Sequence, residues 1–358
     1  MIIKNIGRLV GILPEGVLRK EGAAQGQVEC LENAWLSIEG GRIAGFGPMS
    51  TCPPPVNRSD TPEVINAYGA MLMPGFCDSH THIVYAGSRD GEFLDKINGL
   101  SYEEIAARGG GILNSSDLLH QTPEKELYRQ SLVRVKEMMA KGTVAMEIKS
   151  GYGLNPADEL KMLRVIRRIR ESVPAAVKST YLGAHAVGRG YTHEAYVQAV
   201  IDLIPEAAEW ADFVDVFCDE GFFTVEDTDR ILSVAKGFLR PKIHANELAV
   251  SGGVEVGVKY DALSVDHLEH TTEAQIEALL GSGTMPTMLP GSSFFLGIPF
   301  GKARDFISAG LPLALASDYN PGSSPSGDMR FVMALAGIRM HPRAITKRMS
   351  PEGDEPGL

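Results

Sequence analysis

The sequence predicts an α/β protein, a (β/α)8 TIM-like barrel with a small N-terminal β-sandwich-type module. Three observations predict it. Residues 1 to about 70 read as short strands and turns, whereas from Gly75 onward short apolar runs alternate with amphipathic helical patterns. Eight such runs, spread over about 250 residues, match the arithmetic of a TIM barrel. Polar and titratable residues then gather where the runs end. A doubly wound sheet would more often show fewer strands, and it gives no reason for that gathering.

In chain order, Trp35-Leu-Ser-Ile-Glu-Gly-Gly-Arg-Ile-Ala-Gly-Phe-Gly47 is an apolar run, a Gly-Gly turn and a second apolar run. That pattern predicts a β-hairpin. Cys52-Pro-Pro-Pro-Val predicts a loop, and residues 1–70 together form the small β module. The barrel is expected over 71–340, with strands beginning near Gly75, Thr143, Lys178, Phe213, Lys242, Ala262, Thr284 and Leu311. Helical patterns lie between them at Thr122–Lys141, Asn155–Ser172, His193–Trp210, Thr224–Phe238 and Thr272–Leu280. Asn155 followed by Pro156 has the form of an N-cap and first helical residue.

The 358 residues are 44% hydrophobic and 22% charged, a composition of soluble globular proteins with a substantial core. The net charge of −11 argues against nucleic acid as a partner. The cationic run Arg164, Arg167, Arg168 and Arg170 shares its helix with Leu160, Leu163, Ile166 and Ile169, and so predicts a solvated helix face. Cys30, Cys52, Cys77 and Cys218 form no Cys-x-x-Cys pair, which suggests reduced thiols and a cytoplasmic setting. There is no signal-peptide pattern at Met1 and no apolar run long enough to cross a bilayer, so no membrane partner is expected.

The chemistry gathers around Met73-Pro-Gly-Phe-Cys-Asp-Ser-His-Thr-His82. Side chains two apart on a strand face the same way, so His80 and His82 project together, half a metal site on one strand. A His-x-His pair alone reads equally well as two polar residues in a loop. The other predicted strand ends weigh against that: Glu147 to Tyr152, Gly183-Ala-His185, Cys218-Asp219-Glu220, His244-Ala-Asn-Glu247, Asp266-His267-Leu-Glu-His270 and Ser317 to Gly322. The seventh end, Leu289-Pro-Gly-Ser-Ser293, carries no titratable group. Six of nine histidines fall at these ends, and His120, His193 and His341 are left as surface residues. Scattered core histidines would not converge on one barrel mouth.

Pro-Gly-Phe-x-Asp-x-His-Thr-His, a later strand-end histidine and a final Ser-Asp resemble the metal-dependent amidohydrolases. Ala86-Gly-Ser-Arg-Asp90, Tyr102-Glu-Glu-Ile-Ala-Ala-Arg-Gly-Gly-Gly-Ile112, Glu147-Ile-Lys-Ser-Gly-Tyr-Gly-Leu154 and Ser317-Asp-Tyr-Asn-Pro-Gly-Ser323 resemble the imidazolonepropionase family within that superfamily. The likeness runs from the first hairpin to about Ala336. It implies one zinc or iron ion held by His80, His82, His244 and Asp318. It also implies substrate contacts from Arg89, Tyr152, His185, Glu247, Asn320, Gly322 and Ser323. Family members continue for several dozen residues more. Here the sequence closes on Ser350-Pro-Glu-Gly-Asp-Glu-Pro-Gly-Leu358, without apolar periodicity, so the C-terminal part looks shortened and 341–358 is expected to be a disordered tail.

The implied reaction opens the ring of 4-imidazolone-5-propanoate by hydrolysis to N-formimidoyl-L-glutamate. Such a site needs a water activated at neutral pH, a proton carrier and a donor for the oxyanion. Glu247, His267 and Asp318 are rival proton carriers, and either His267 or His185 is placed to polarise the carbonyl. Arg89 suits the propanoate carboxylate, with an ion pair to Asp90 or Glu92 as its plain alternative. Tyr102 reads as core or site, and Gly109-Gly-Gly111 as a close backbone approach or a mobile loop. Competing functions are another amidohydrolase acting on a cyclic amide or aminated heterocycle, and a shortened, non-catalytic homologue. A homodimer is compatible with the resemblance.

Overall fold

The computed structural model describes residues 1–14, 16–17, 19–54, 63–99 and 110–340. Tyr102, Gly109, His341 and the expected tail at 341–358 lie outside them. The chain divides into two compact units, one spanning Met1–Gly75 and the other beginning at Phe76.

The N-terminal unit is a five-stranded mixed sheet. β1 (Ile2–Val10) pairs antiparallel with β2 (Cys30–Glu39), and β2 pairs with β3 (Arg42–Pro48). β4 (Val64–Asn66) and β5 (Met71–Leu72) each lie parallel to β1. The β2–β3 hairpin turns at Gly40 and Gly41, both at positive φ (55° and 76°), which glycine adopts without steric cost. Ile6, Leu9, Ala34 and Leu36 form its small core.

The second unit holds eight parallel strands in sequential order: β6 (Phe76–Thr81), β7 (Thr143–Lys149), β8 (Ala176–Ala184), β9 (Phe213–Cys218), β10 (Arg240–Ala245), β11 (Ser264–His267), β12 (Met285–Met288) and β13 (Ala314–Leu315). The two ends of this sheet meet. Thr81 bridges Tyr319, His82 N–H donates to the Tyr319 carbonyl at 2.9 Å, and Asp318 N–H donates to the His80 carbonyl at 3.0 Å. Asp78 reinforces the seam by accepting from Ser317 N–H at 3.0 Å and from Ser317 Oγ at 2.5 Å.

The helices follow their sequence signals. Asn155 caps Pro156–Ser172 by accepting from Asp158 N–H at 3.0 Å, and Thr224 and Thr272 close reciprocal capping boxes with Asp227 and Gln275. Helix Pro156–Ser172 buries Leu163, Ile166 and Ile169 completely, each contributing about 1.5–3 kcal/mol relative to exposure. Its arginines face outward to Glu124, Glu171 and Asp212. Helices Asp90–Ile97, Ile112–Gln121, Gly253–Lys259, Pro290–Leu296, Ala303–Ser308 and Met329–Arg339 are not among those located from the sequence pattern. Most are under three turns, too short for periodicity to separate them from loops.

Candidate metal centre and substrate pocket

The two-residue period of β6, continued one residue past its end, places His80 and His82 on the inner face of the barrel, and both are buried. His244 arrives from β10 and Asp318 from the turn after β13. The Nε2 atom of His82 lies 3.2 Å from Nε2 of His80 and 3.3 Å from Nε2 of His244. Asp318 Oδ1 lies 3.4 Å from His82 Nε2 and 3.6 Å from His80 Nε2. A tetrahedral ion with metal–nitrogen bonds of about 2.0–2.1 Å sets its ligand atoms about 3.3–3.4 Å apart. The donor set therefore fits such an ion. Burial, with the neighbouring imidazoles and Lys149, holds His80 and His82 well below the usual imidazole range, so both are neutral.

Behind two of these rings stand carboxylates. Asp266 Oδ2 is 2.7 Å from His80 Nδ1, and Asp215 Oδ2 is 3.1 Å from His244 Nδ1. Such partners fix the tautomer that leaves Nε2 free to ligate. A second cluster, His80 with His267 and Asp318, also brings three ligand atoms within 4.8 Å of one another. It lacks this backing: both oxygens nearest the His267 ring, Glu247 Oε2 and Glu269 Oε2, stand off at 3.6 and 3.5 Å.

Glu247 and His267 line the pocket beside these ligands. His267 and Asp318 sit at positive φ (86° and 53°), where non-glycine residues persist only if their surroundings hold them. Burial pushes the Glu247 carboxyl up, against the pull of His267. At His267 burial is outweighed by Glu247 and Glu269, which hold the ring above the ordinary imidazole range, as a cation. Glu247 is positioned from behind: the carboxylate of Asp219 accepts from the N–H groups of Glu247, Leu248 and Ala249 at 2.7, 2.9 and 3.2 Å.

The remaining site residues stand on loops. Arg89 donates to Glu92 Oε2 from Nε at 2.9 Å and from Nη2 at 2.6 Å, and both side chains are mostly buried. Its guanidinium lies against Gly322, where a Cβ would fall 2.2 Å from Nη1. The pocket position and the Glu92 ion pair thus occur together. Tyr152 is carried by a loop whose N–H groups at Gly151, Gly153 and Leu154 all donate to buried Glu159, at 2.9, 2.7 and 3.0 Å. His185 Nδ1 lies 2.9 Å from the Gly151 carbonyl. That oxygen can only accept, so Nδ1 carries the proton and Nε2 is an acceptor. Burial foremost lowers the His185 pKa to about 3. Asn320 spends its side chain on its own loop, accepting from Gly322 and Ser323 N–H at 2.8 and 2.7 Å and donating to the Asp318 carbonyl and Ser323 Oγ, both at 2.7 Å.

A cavity of about 620 Å³, within the size range of small-molecule sites, is lined by all of these predicted residues except His80, which lies just behind its wall. Phe217, Phe222, Leu248, Phe294, Phe295 and Ile298 make the rest of the wall apolar. Those residues went unread in the sequence, as did Asp215, Glu159 and the positioning role of Asp219. An aspartate inside the apolar run Phe213–Cys218 was the available signal for Asp215. His270, counted among the strand-end histidines, stays off the pocket; its N–H and carbonyl bind the Asn246 carbonyl and Nδ2. His120 and His193 pair with Asp158 and Asp227 outside the site.

No family model matches the chain. The imidazolonepropionase of Christiangramia forsetii is 49% identical over 98% of this chain and 84% of its own length. That of Flavobacterium johnsoniae is likewise 49% identical, with the same coverage. Among solved structures, 5-methylcytosine deaminase from Klebsiella pneumoniae liganded with phosphonocytosine superposes with a TM-score of 0.69, covering 95% of this chain and 82% of its own at 14% identity. A mutant of atrazine chlorohydrolase from Arthrobacter aurescens TC1, complexed with zinc and atraton, gives 0.63 over 97% and 77% at 13% identity. Those two likenesses concern the fold.

Proposed function

The chain belongs to the imidazolonepropionase family, and we propose that the pocket at the C-terminal ends of its barrel strands is the catalytic site, with one zinc or iron ion held by His80, His82, His244 and Asp318. The activity is hydrolysis of the cyclic amide of 4-imidazolone-5-propanoate to N-formimidoyl-L-glutamate. The observation that carries the site assignment is the convergence of three imidazole Nε2 atoms and one carboxylate, with His82 Nε2 3.2–3.4 Å from each of the other three ligand atoms, beside a glutamate and an imidazolium. When bound there, a divalent ion lowers the pKa of water and polarises a carbonyl oxygen.

The chain's own groups supply the rest. Glu247, its carboxyl raised by burial, takes the proton of the attacking water and returns it to the ring nitrogen as the carbon–nitrogen bond breaks. Asp318, engaged with the imidazoles, is the weaker base. His267, held cationic by two carboxylates, donates to the oxygen on which charge develops. His185, its Nδ1 proton directed at the Gly151 carbonyl, instead accepts at Nε2 from a ring N–H of the substrate. Arg89 receives the propanoate carboxylate, with Glu92 and Gly322 fixing its plane. Tyr152 closes the ring-binding side, and Asn320 shapes the loop that presents Gly322 and Ser323.

The test is a coupled assay in which urocanase generates the unstable imidazolone in place. The expected result is imidazolone consumption proportional to this protein, with matching formation of N-formimidoyl-L-glutamate. Turnover of hydantoins, dihydroorotate or nucleobases with none of the imidazolone would overturn the reading in favour of another amidohydrolase.

A further inference from the structure

Beneath the imidazoles the barrel interior is charged. The side chains of Lys149 and Lys242 are 0% and 2% exposed, and neither lines the pocket, so neither is placed to touch substrate. Each is aimed at the back of one imidazole. Lys149 Nζ lies 2.9 Å from Glu147 Oε1 and 2.7 Å from Asp215 Oδ2, the oxygen that faces His244 Nδ1. Lys242 Nζ donates to the Ser79 carbonyl at 2.7 Å and lies 3.1 Å from Asp266 Oδ2, the oxygen that faces His80 Nδ1. The two chains are built alike: ammonium, aspartate Oδ2, imidazole Nδ1, and an Nε2 turned to the common centre. His82 Nδ1 and His244 Nδ1 both lack a well-aligned hydrogen bond among the described residues, but His244 Nδ1 faces a carboxylate oxygen at 3.1 Å, so the device serves His80 and His244 and not His82.

Strand order produces this arrangement. β10 runs between β9 and β11, so Asp215 and Asp266 flank it. Lys242 and His244, two apart on β10, share the inner face, as do Glu147 and Lys149 on β7.

We propose that Lys149 and Lys242 are positioning residues for the metal-binding imidazoles, acting on His244 through Asp215 and on His80 through Asp266. The proposal rests on the metal assignment above. A carboxylate orients an imidazole only while it is itself held. In the barrel interior an aspartate without its ammonium is a buried, uncompensated charge, free to turn away from the ring. That turn removes the anchor at Nδ1, and Nε2 loses its fixed direction.

The experiment measures zinc release from the loaded protein to excess dipicolinate, for wild type, Lys149→Met, Asp215→Asn and the double variant. Lys149→Met is expected to release zinc about tenfold faster, the low end for a lost outer partner. Asp215→Asn should be at least as fast, and the double variant no faster than Asp215→Asn alone, because the lysine acts through the aspartate. Lys242→Met with Asp266→Asn repeats the cycle at His80. A Lys149→Met protein that held zinc as long as wild type, or longer, would overturn the proposal; longer retention would mean that the ammonium only repels the ion. Multiplying effects in the double variant would overturn it too. Should Lys149→Met fail to fold, the double variant, which removes both charges together, decides: wild-type release there contradicts the anchor. Wild-type protein that took up no zinc or iron would instead remove the metal assignment, and this proposal with it.

Discussion

The two halves of the site are held in different ways. On the metal-facing half, His80, His82 and His244 rise from strand β6, its immediate continuation and strand β10, and aspartates on β11 and β9 back two of the three rings. On the substrate-facing half, Glu247, Tyr152 and Gly322 stand on loops, each loop fixed by one polar side chain that gathers backbone N–H groups: Asp219, Glu159 and Asn320. Strand geometry thus determines where the ion sits, while a few hydrogen bonds determine what lies against it. Changes in the first half should abolish metal binding. Changes in the second should alter turnover or substrate affinity and leave the metal in place.

The largest effect is expected from His80→Ala with His82→Ala, which removes two of four ligands. Elemental analysis should find almost no zinc or iron, and the coupled assay no turnover above background. Retained metal would erase the contrast between the halves. Next comes Glu247→Gln, which keeps shape but loses the proton carrier. Turnover should fall by about a hundredfold or more, with metal content unchanged. Parallel loss of metal would place Glu247 in the ligand shell.

These two predictions concern residues that were legible in the sequence, because a period of two converts His-x-His into a shared face and the barrel rule puts strand ends at one mouth. The eight strands were legible as short apolar runs between helical patterns, each start falling within a few residues of its prediction. The loop anchors were not. Glu159 acts from a helix on N–H groups five to eight residues back, and nothing in an amphipathic pattern marks a buried glutamate as a clamp. Asp219 was visible as a strand-end acid, but its use by the loop 247–249 depends on which strands are neighbours. The apolar wall Phe294 to Ile298 directly follows Leu289–Ser293, which was read as a strand end without titratable groups, so its lining role went unseen.

Smaller effects should sharpen the substrate half. Arg89→Met should raise KM by roughly ten- to a hundredfold, the size of a lost charge-assisted pair of about 1.5–3 kcal/mol. Arg89→Lys should recover only part of it, since an ammonium lacks the planar fork. Gly322→Ala should act in the same direction, because its Cβ would meet the guanidinium at 2.2 Å. Wild-type KM in both would place the carboxylate elsewhere. Glu159→Gln is the mildest: the amide replaces one acceptor oxygen with a donor, leaving at least one loop N–H unpaired. Denaturant unfolding should show about 1–3 kcal/mol less stability, with metal content intact.

One measurement separates the two overlapping clusters that share His80. His244→Asn and His267→Asn, purified side by side from metal-supplemented culture, are compared for bound zinc and iron by elemental analysis. The account predicts that His244→Asn loses its metal while His267→Asn keeps close to one equivalent and loses turnover. A His267→Asn protein without metal, beside a His244→Asn protein that retains it, would place the ion among His80, His267 and Asp318 and contradict the division of the site drawn here.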